Sequence, residues 1–303
     1  MTHGTEASFE YVVREVGCQA AHLLDCHGTG CVSALFDGSF YIEIDEGLMC
    51  LGHACMHTSS LNLVTNIPAS VNWPASGIRI GDKVQISNDQ FRVGNRFVFR
   101  TGAATRWSPA PVPATWTAAS LEAGLAAVSE VGECLAPDEG LGRFVQMPCP
   151  QFDNRSICAY AAAPINDLSH WLLDMRPDPD WPSRLLGLGP GLTPSGDDFI
   201  GGMMIAFHGI GDGRIAKNIW RAAAPHAVTA TNAVSRAHLQ SAAKGYGSAA
   251  VHEALSAILC GRGEDIRSAI ERAVAIGHTS GWDALAGAVT ALRMRSAIKG
   301  ETR

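Results

Sequence analysis

This sequence lacks long apolar runs, and it lacks an excess of positive charge. No apolar stretch reaches the roughly 20 residues that a membrane-spanning helix needs, and the first thirty residues lack the charged start and apolar core of a signal peptide. The formal net charge is −6, without any basic run. We therefore expect neither a membrane nor a nucleic acid as a partner.

Disulfides are not indicated either, because the nine cysteines are scattered and odd in number. Such a pattern suits reduced thiols in the cytoplasm. Charged residues make up only 17% of the chain and hydrophobic residues 47%, which excludes a disordered protein. The 303 residues can bury a large core, and we expect two domains.

The N-terminal third predicts β structure from Cys31 to about Arg100, where short Val-, Ile- and Phe-rich runs alternate with turn signals. Alternation is clearest from Ile78 and Ile80 through Val84 to Phe99. Closely spaced strands without helices between them indicate an antiparallel β barrel or sandwich. Residues 101–116 are rich in Pro, Gly and Thr and predict a linker, so we expect a β domain at 1–115.

The remainder, 116–303, predicts a mainly helical domain, so the fold class is α+β. Apolar residues recur at helical spacing in a series of segments. The predicted helices are Thr117–Leu135, Asn166–Met175, Phe199–Phe207, Arg214–Ala224, Asn232–Ala243, Ser248–Leu259, Glu264–Ala275 and Trp282–Lys299.

The most informative stretch is 185–202, LLGLGPGLTPSGDDFIGG. Ser195 and Asp198 form an S-x-x-D capping box in front of an apolar run, which predicts a helix start. A Gly-rich loop that enters a helix start presents free N–H groups and suits a small anion. Asp197 has no capping role, and paired carboxylates beside hydroxyls suit acid–base chemistry or Mg²⁺. A tight turn with an ordinary capped helix is the structural alternative.

A second stretch, 277–287, reads GHTSGWDALAG and repeats the Ser-Gly-x-Asp pattern. Ser280, Asp283 and Gly287 correspond to Ser195, Asp198 and Gly202. The repetition indicates two helix starts that face a common site, a duplicated helical unit, or a chance match. His278 precedes the second start, where the helix dipole favours a neutral imidazole that could contact a substrate. A histidine in an ordinary turn is the alternative.

The chemistry of the side chains indicates candidate site residues, and the first group to consider lies in the β region. A metal site could be proposed at Cys50, His53, Cys55 and His57, but side chains on one strand point in parallel and do not converge, so we expect no metal there.

The catalytic candidates are Asp197, Asp198 and His278, and Asp197 is also the candidate Mg²⁺ ligand. The substrate-binding candidates are Gly189, Gly191, Thr193, Ser195, Gly196, Thr279, Ser280, Gly281 and Asp283.

The two motifs together resemble a bacterial family that includes the AllH-type subunit of oxamate carbamoyltransferase. Thr231, Ser235 and Leu239 form a third, weaker point of resemblance. The resemblance implies partner subunits, carbamoyl transfer and a place in purine or allantoin nitrogen catabolism, with carbamoyl phosphate or a carboxylate as the small anionic substrate. The alternatives are a non-catalytic structural or ligand-sensing subunit, and a stand-alone hydrolase or carboxylase-like enzyme of nitrogen metabolism. Whether the chain is itself an enzyme stays open at this point.

Overall fold

The computed structural model describes residues 9–45, 47–147, 151–174 and 180–300. Its internal contacts divide the chain into two compact units, Met1–Ser108 and Pro109–Arg303. The first unit is built from β-strands and the second from helices. The α+β class predicted from the sequence is confirmed.

The first unit is a closed β barrel to which a further strand is added. Its elements, in chain order, are β1 (Phe9–Gly17), α1 (Cys18–Asp25), β2 (Gly28–Leu35), β3 (Ser39–Ile44), β4 (Gly47–Gly52), β5 (Asn62–Thr65), α2 (Trp73–Ser76), β6 (Lys83–Ser87), β7 (Gln90–Val93), β8 (Phe97–Arg100) and β9 (Thr105–Trp107). The strand order is β5-β4-β3-β2-β6-β7-β8-β1-β9, and an additional β1–β5 pairing closes the ring.

Parallel pairings make this barrel mixed. β1 pairs in parallel with β8 and β9, β4 pairs in parallel with β5, and the other pairings are antiparallel. Of the two predicted architectures, barrel and sandwich, the barrel is the one found, and its parallel pairings differ from the antiparallel sheet that was expected. β9 falls inside the predicted linker, which shows that residues 101–116 are not wholly unstructured connection.

The barrel interior follows the alternation expected for strands with one buried face. Val84, Ile86 and Phe91 are buried, whereas Lys83 and Arg92 on the same two strands face solvent. The prediction was wrong for the stretch before β6. Ile80 is 66% exposed and lies outside any strand. The metal interpretation of residues 50–57 also assumed one continuous strand, but β4 ends at Gly52.

The second unit packs its helices around one apolar core. The helices are α3 (Ala118–Leu135), α4 (Ile157–Asp174), α5 (Trp181–Leu185), α6 (Ser195–Gly209), α7 (Gly213–Ala230), α8 (Ala233–Ala242), α9 (Ala249–Cys260), α10 (Gly263–Val274) and α11 (Ser280–Gly300), with a 3₁₀ turn at Gly142–Val145. Two differences from the prediction stand out: α4 starts well before Asn166 and contains Pro164, and α5 was not predicted. None of the helices in the described ranges is both long and apolar enough to cross a bilayer.

Helix α6 lies at the centre of this unit. Almost every residue from Ser195 to Phe207 is buried, so α6 has no solvent-facing stripe. A helix that is apolar on all sides is typical of a core position. Its main neighbour is α11, the helix that carries the second motif. The fold therefore brings the starts of the two motif helices into one region.

Candidate functional site

The two motifs meet directly. Thr193, just before α6, and Ser280, the first residue of α11, join their hydroxyl oxygens in a hydrogen bond of 2.8 Å. The prediction that segments 185–202 and 277–287 come together is therefore confirmed. Of the three interpretations of the repeated pattern, a chance match is the one that this contact disfavours.

The contacts between the motifs are reciprocal. Ser280 of the second motif donates a hydrogen bond to Asp198 of the first. Ser195 of the first motif donates to Asp283 of the second. Each Ser-Gly-x-Asp motif thus supplies a hydroxyl to the carboxylate of the other, a reciprocal arrangement of equivalent positions.

The glycines four residues beyond these aspartates follow the same symmetry. A Cβ atom added to Gly202 would lie 1.8 Å from the carbonyl oxygen of Ala284, and one added to Gly287 would lie 1.9 Å from that of Phe199. Phe199 and Ala284 occupy equivalent positions in the two motifs. Both glycines are therefore needed because the backbones of α6 and α11 touch there.

The start of α6 is built differently from the predicted capping box. The helix begins at Ser195, its N-cap is Pro194, and no side chain caps it. The capping-box prediction for Ser195 and Asp198 is therefore wrong. The N–H of Gly196 donates to the carbonyl of Leu188 at 2.9 Å, and the N–H groups of the next two residues donate to the carbonyl of Pro194. These N–H groups already have partners, so they are not free for an anion.

Asp197 has a positioning role that the sequence did not reveal. Its Oδ1 atom accepts from the N–H of Gly187 at 2.8 Å. Its Oδ2 atom accepts from the hydroxyl of Ser235 at 2.6 Å and from the hydroxyl of Thr231. Asp197 does not cap α6, as predicted, but it has a structural task that was not predicted, because it ties the motif loop to α8. Three hydrogen bonds leave this carboxylate little capacity for a metal.

Asp198 and Asp283 carry the unusual electrostatics of the site. Burial raises the pKa of Asp198 well above its ordinary value, hydrogen bonds from Ser280 and Thr193 oppose the rise, and the charge of Asp283 adds to it. Burial also raises the pKa of Asp283, against hydrogen bonds from Leu141 N–H, Ser195 and Thr279. The Oδ2 atom of each carboxyl group is buried and has no hydrogen-bond partner. Such atoms favour either a proton or a ligand that brings a donor.

The outer side of the site is a glycine-containing loop. Gly191 and Leu192 are exposed, and a Cβ atom added to Gly191 would meet nothing within 4 Å. Gly191 has a φ of +96°, a conformation that only glycine adopts readily. Asn232 anchors the loop by donating to the carbonyl of Leu192 at 2.8 Å. A ligand could thus approach the main chain at Gly191 without displacing a side chain.

A second segment, residues 139–141, borders the site, and nothing in the sequence pointed to it. The N–H of Leu141 donates to Oδ1 of Asp283. The carboxylate of Glu139 lies within hydrogen-bonding distance of Nε2 of His278, and both side chains are well exposed. His278 therefore lies at the rim, where its partner is a carboxylate of this segment.

The remaining predicted residues serve packing or line the site. Gly189 has a φ of +112° and stands beside Ser195. Gly281 corresponds to Gly196 in the repeat. A Cβ atom on Gly196 would lie 1.9 Å from the carbonyl oxygen of Leu185, and one on Gly281 would lie 2.0 Å from that of Ala273. Within the described ranges, no group of three or more His, Cys, Asp or Glu side chains has an arrangement that could hold a metal ion.

Comparison with known families agrees with this region of the chain. Residues 185–292 match the model of the family described as oxamate carbamoyltransferase subunit AllH. The matched segment begins at the first motif and includes the second, so it contains both halves of the reciprocal site. No solved structure matches the chain. The resemblance to the AllH-type family is confirmed over this segment.

Proposed function

We propose, from the AllH-type identity of residues 185–292, that this chain is the subunit of an oxamate carbamoyltransferase-like enzyme that binds a small anionic substrate. The substrate would be carbamoyl phosphate or a carboxylate such as oxamate, used in purine or allantoin nitrogen catabolism. The observation that carries the proposal is the reciprocal pairing of the two motifs around Asp198 and Asp283.

The anionic end of the substrate would lie on the outer side of this pairing. Gly191 leaves its backbone open, and Thr193, whose hydroxyl contacts that of Ser280, follows two residues later, just before α6. The positive end of the α6 dipole favours an anion at this position. The buried aspartates would repel an anion if it penetrated further. These two effects favour a substrate whose charge stays outside.

A non-catalytic subunit is the second candidate function, and one observation favours it. Four glycines of the two motifs each lie against a backbone carbonyl: Gly196, Gly202, Gly281 and Gly287. A Cβ atom added to any of them would lie only 1.8–2.0 Å from the carbonyl oxygen. Much of each motif therefore serves helix packing, which a structural subunit would also require. The chemistry would then belong to partner subunits.

Binding measurements separate the two candidates. We expect carbamoyl phosphate or oxamate, tested with and without Mg²⁺, to raise the melting temperature. A ligand at a hundred times its dissociation constant stabilises a fold by about 2.7 kcal/mol. The double replacement Thr193→Val with Ser280→Ala should abolish the rise. Ser268→Ala, at an exposed hydroxyl on α10, is the matched control and should leave it intact.

Absence of any shift with carbamoyl phosphate, oxamate and inorganic phosphate would favour the structural subunit. Gly196→Val is not a suitable test of backbone access, because the added side chain would collide with the Leu185 carbonyl. Loss of binding in that variant would follow from damage to the fold.

A further inference from the structure

We infer that Asp198 and Asp283 together hold the NH₂ end of a carbamoyl or primary-amide substrate, and that the Oδ2 atom of each accepts one N–H. The inference rests on the proposed function and deepens it, since it names the group that the inner part of the site recognises. It also fixes which end of the substrate enters first.

The first support is an incomplete set of hydrogen bonds. Asp283 is 0% exposed, and its Oδ1 atom is occupied by the N–H of Leu141. Its Oδ2 atom, like that of Asp198, is buried and without a partner. A buried acceptor that lacks a donor is costly, so natural sites usually provide one. A bound group with two N–H donors would complete the hydrogen bonding of both carboxylates at once.

The second support is the local symmetry. Asp198 and Asp283 occupy equivalent positions in the two motifs and receive equivalent hydroxyls, from Ser280 and Ser195. The two N–H bonds of an NH₂ group are themselves related by a twofold axis along the C–N bond. A pair of acceptors related in the same way can take one hydrogen each. A carboxylate or phosphate group offers no such donors.

The third support is the distribution of polarity across the site. The unpartnered inner atoms are carboxylate oxygens, whereas the outer loop has an open backbone at Gly191. A ligand with NH₂ at one end and negative charge at the other matches this order. Oxamate and carbamoyl phosphate both have that form. Burial, the main cause of the raised pKa of both Asp198 and Asp283, agrees with an inner part of the site that is closed to water.

The test compares two ligands that differ only at nitrogen. Titration calorimetry of the full chain with oxamate and with N,N-dimethyloxamate should show binding at least about tenfold weaker for the dimethyl compound, because it has no N–H to donate. Equal affinities would overturn the inference and leave the proposed function standing. This comparison needs no variant, so it is decisive even where a substitution perturbs the fold.

Variants give an independent readout. Asp198→Asn and Asp283→Asn should each weaken oxamate binding at least about tenfold and change the already weak binding of the dimethyl compound little. Ser268→Ala is again the control. Oxamate affinity within twofold of the wild type in both variants would contradict the inference. So would saturable binding of Mg²⁺ alone that both substitutions abolish, since a cation would then occupy the pair. If neither oxamate nor carbamoyl phosphate binds the wild type, the proposed function fails together with the inference.

Discussion

Replacing Gly202 by alanine should destabilise the helical unit, whereas the same replacement at Gly201 should stabilise it. The two glycines are neighbours in the interior of α6, so helix propensity and distance from the helix ends are nearly the same for both. They differ in what an added methyl group meets. At Gly201 the nearest atom is the Cβ of Ala242 at 3.7 Å, whereas at Gly202 the carbonyl oxygen of Ala284 lies at 1.8 Å.

These distances set the expected magnitudes. An ordinary contact begins near 3.4 Å, so α6 and α11 would have to separate by more than an ångström at Gly202. Overpacking of this kind costs about 1–3 kcal/mol and occasionally more. Alanine in place of glycine in a helix interior gains up to about 1 kcal/mol. We therefore expect the two variants to differ by about 2–4 kcal/mol in the free energy of unfolding.

Thermal unfolding followed by circular dichroism measures this difference. For a domain of this size, 1 kcal/mol corresponds to about 2–4 °C, so the melting temperatures should differ by roughly 5–15 °C. Gly287→Ala should behave like Gly202→Ala, because its Cβ atom would meet the Phe199 carbonyl at 1.9 Å. A Gly202→Ala protein that melts at or above the temperature of Gly201→Ala would refute the close approach of the two helices.

Three further predictions concern titration, positioning and metal content. Asp197→Ala should lower the free energy of unfolding, measured by urea denaturation, by at least about 3 kcal/mol, because the groups that donate to this carboxylate lose their acceptor. A loss no larger than that of a surface substitution would contradict the positioning role of Asp197. Burial raises the pKa of Asp283, so the folded state binds more protons than the unfolded state and stability falls as pH rises through the folded pKa. Asp283→Asn should therefore lose less stability than the wild type as the pH rises from about 4, the ordinary pKa of an aspartate, through the folded pKa, and an unchanged pH profile would disprove the assignment. Elemental analysis should find substoichiometric zinc; a full equivalent that disappears on mutation of His53 and Cys55 would show a metal site there.

Local sequence patterns predicted the helical unit better than the barrel. The limits of α9 and α10 were predicted to within one residue, because apolar periodicity and turn residues mark both ends. β1 was missed because its alternation is broken: the pairing register shifts between Val13 and Glu15, where the strand bulges. The early part of α4 was missed because Pro164 within it reads as a helix breaker.

The site illustrates a different limit. The matching Ser-Gly-x-Asp patterns were enough to predict that the two motifs meet. They did not reveal that each serine bonds to the aspartate of the other motif, since a capping box and a cross-motif hydrogen bond use the same residues. The partners of Asp197, Thr231 and Ser235, lie more than thirty residues away in the chain. Only the tertiary fold brings such donors together.

The closure of the barrel has a consequence for biosynthesis. β1 leaves the ribosome first, yet it pairs with β5 and, through residues such as Phe9 and Phe97, with β8. At a synthesis rate of about 5–20 residues per second, several seconds pass between the synthesis of β1 and that of β8. During that interval β1 can pair with β5 once residues 62–65 have emerged, but the edge that pairs with β8 stays open, and an unpaired strand edge invites association with other chains. The ring of strands can therefore close only after β8 has emerged, and a ribosome stalled before Phe97 would hold an open sheet.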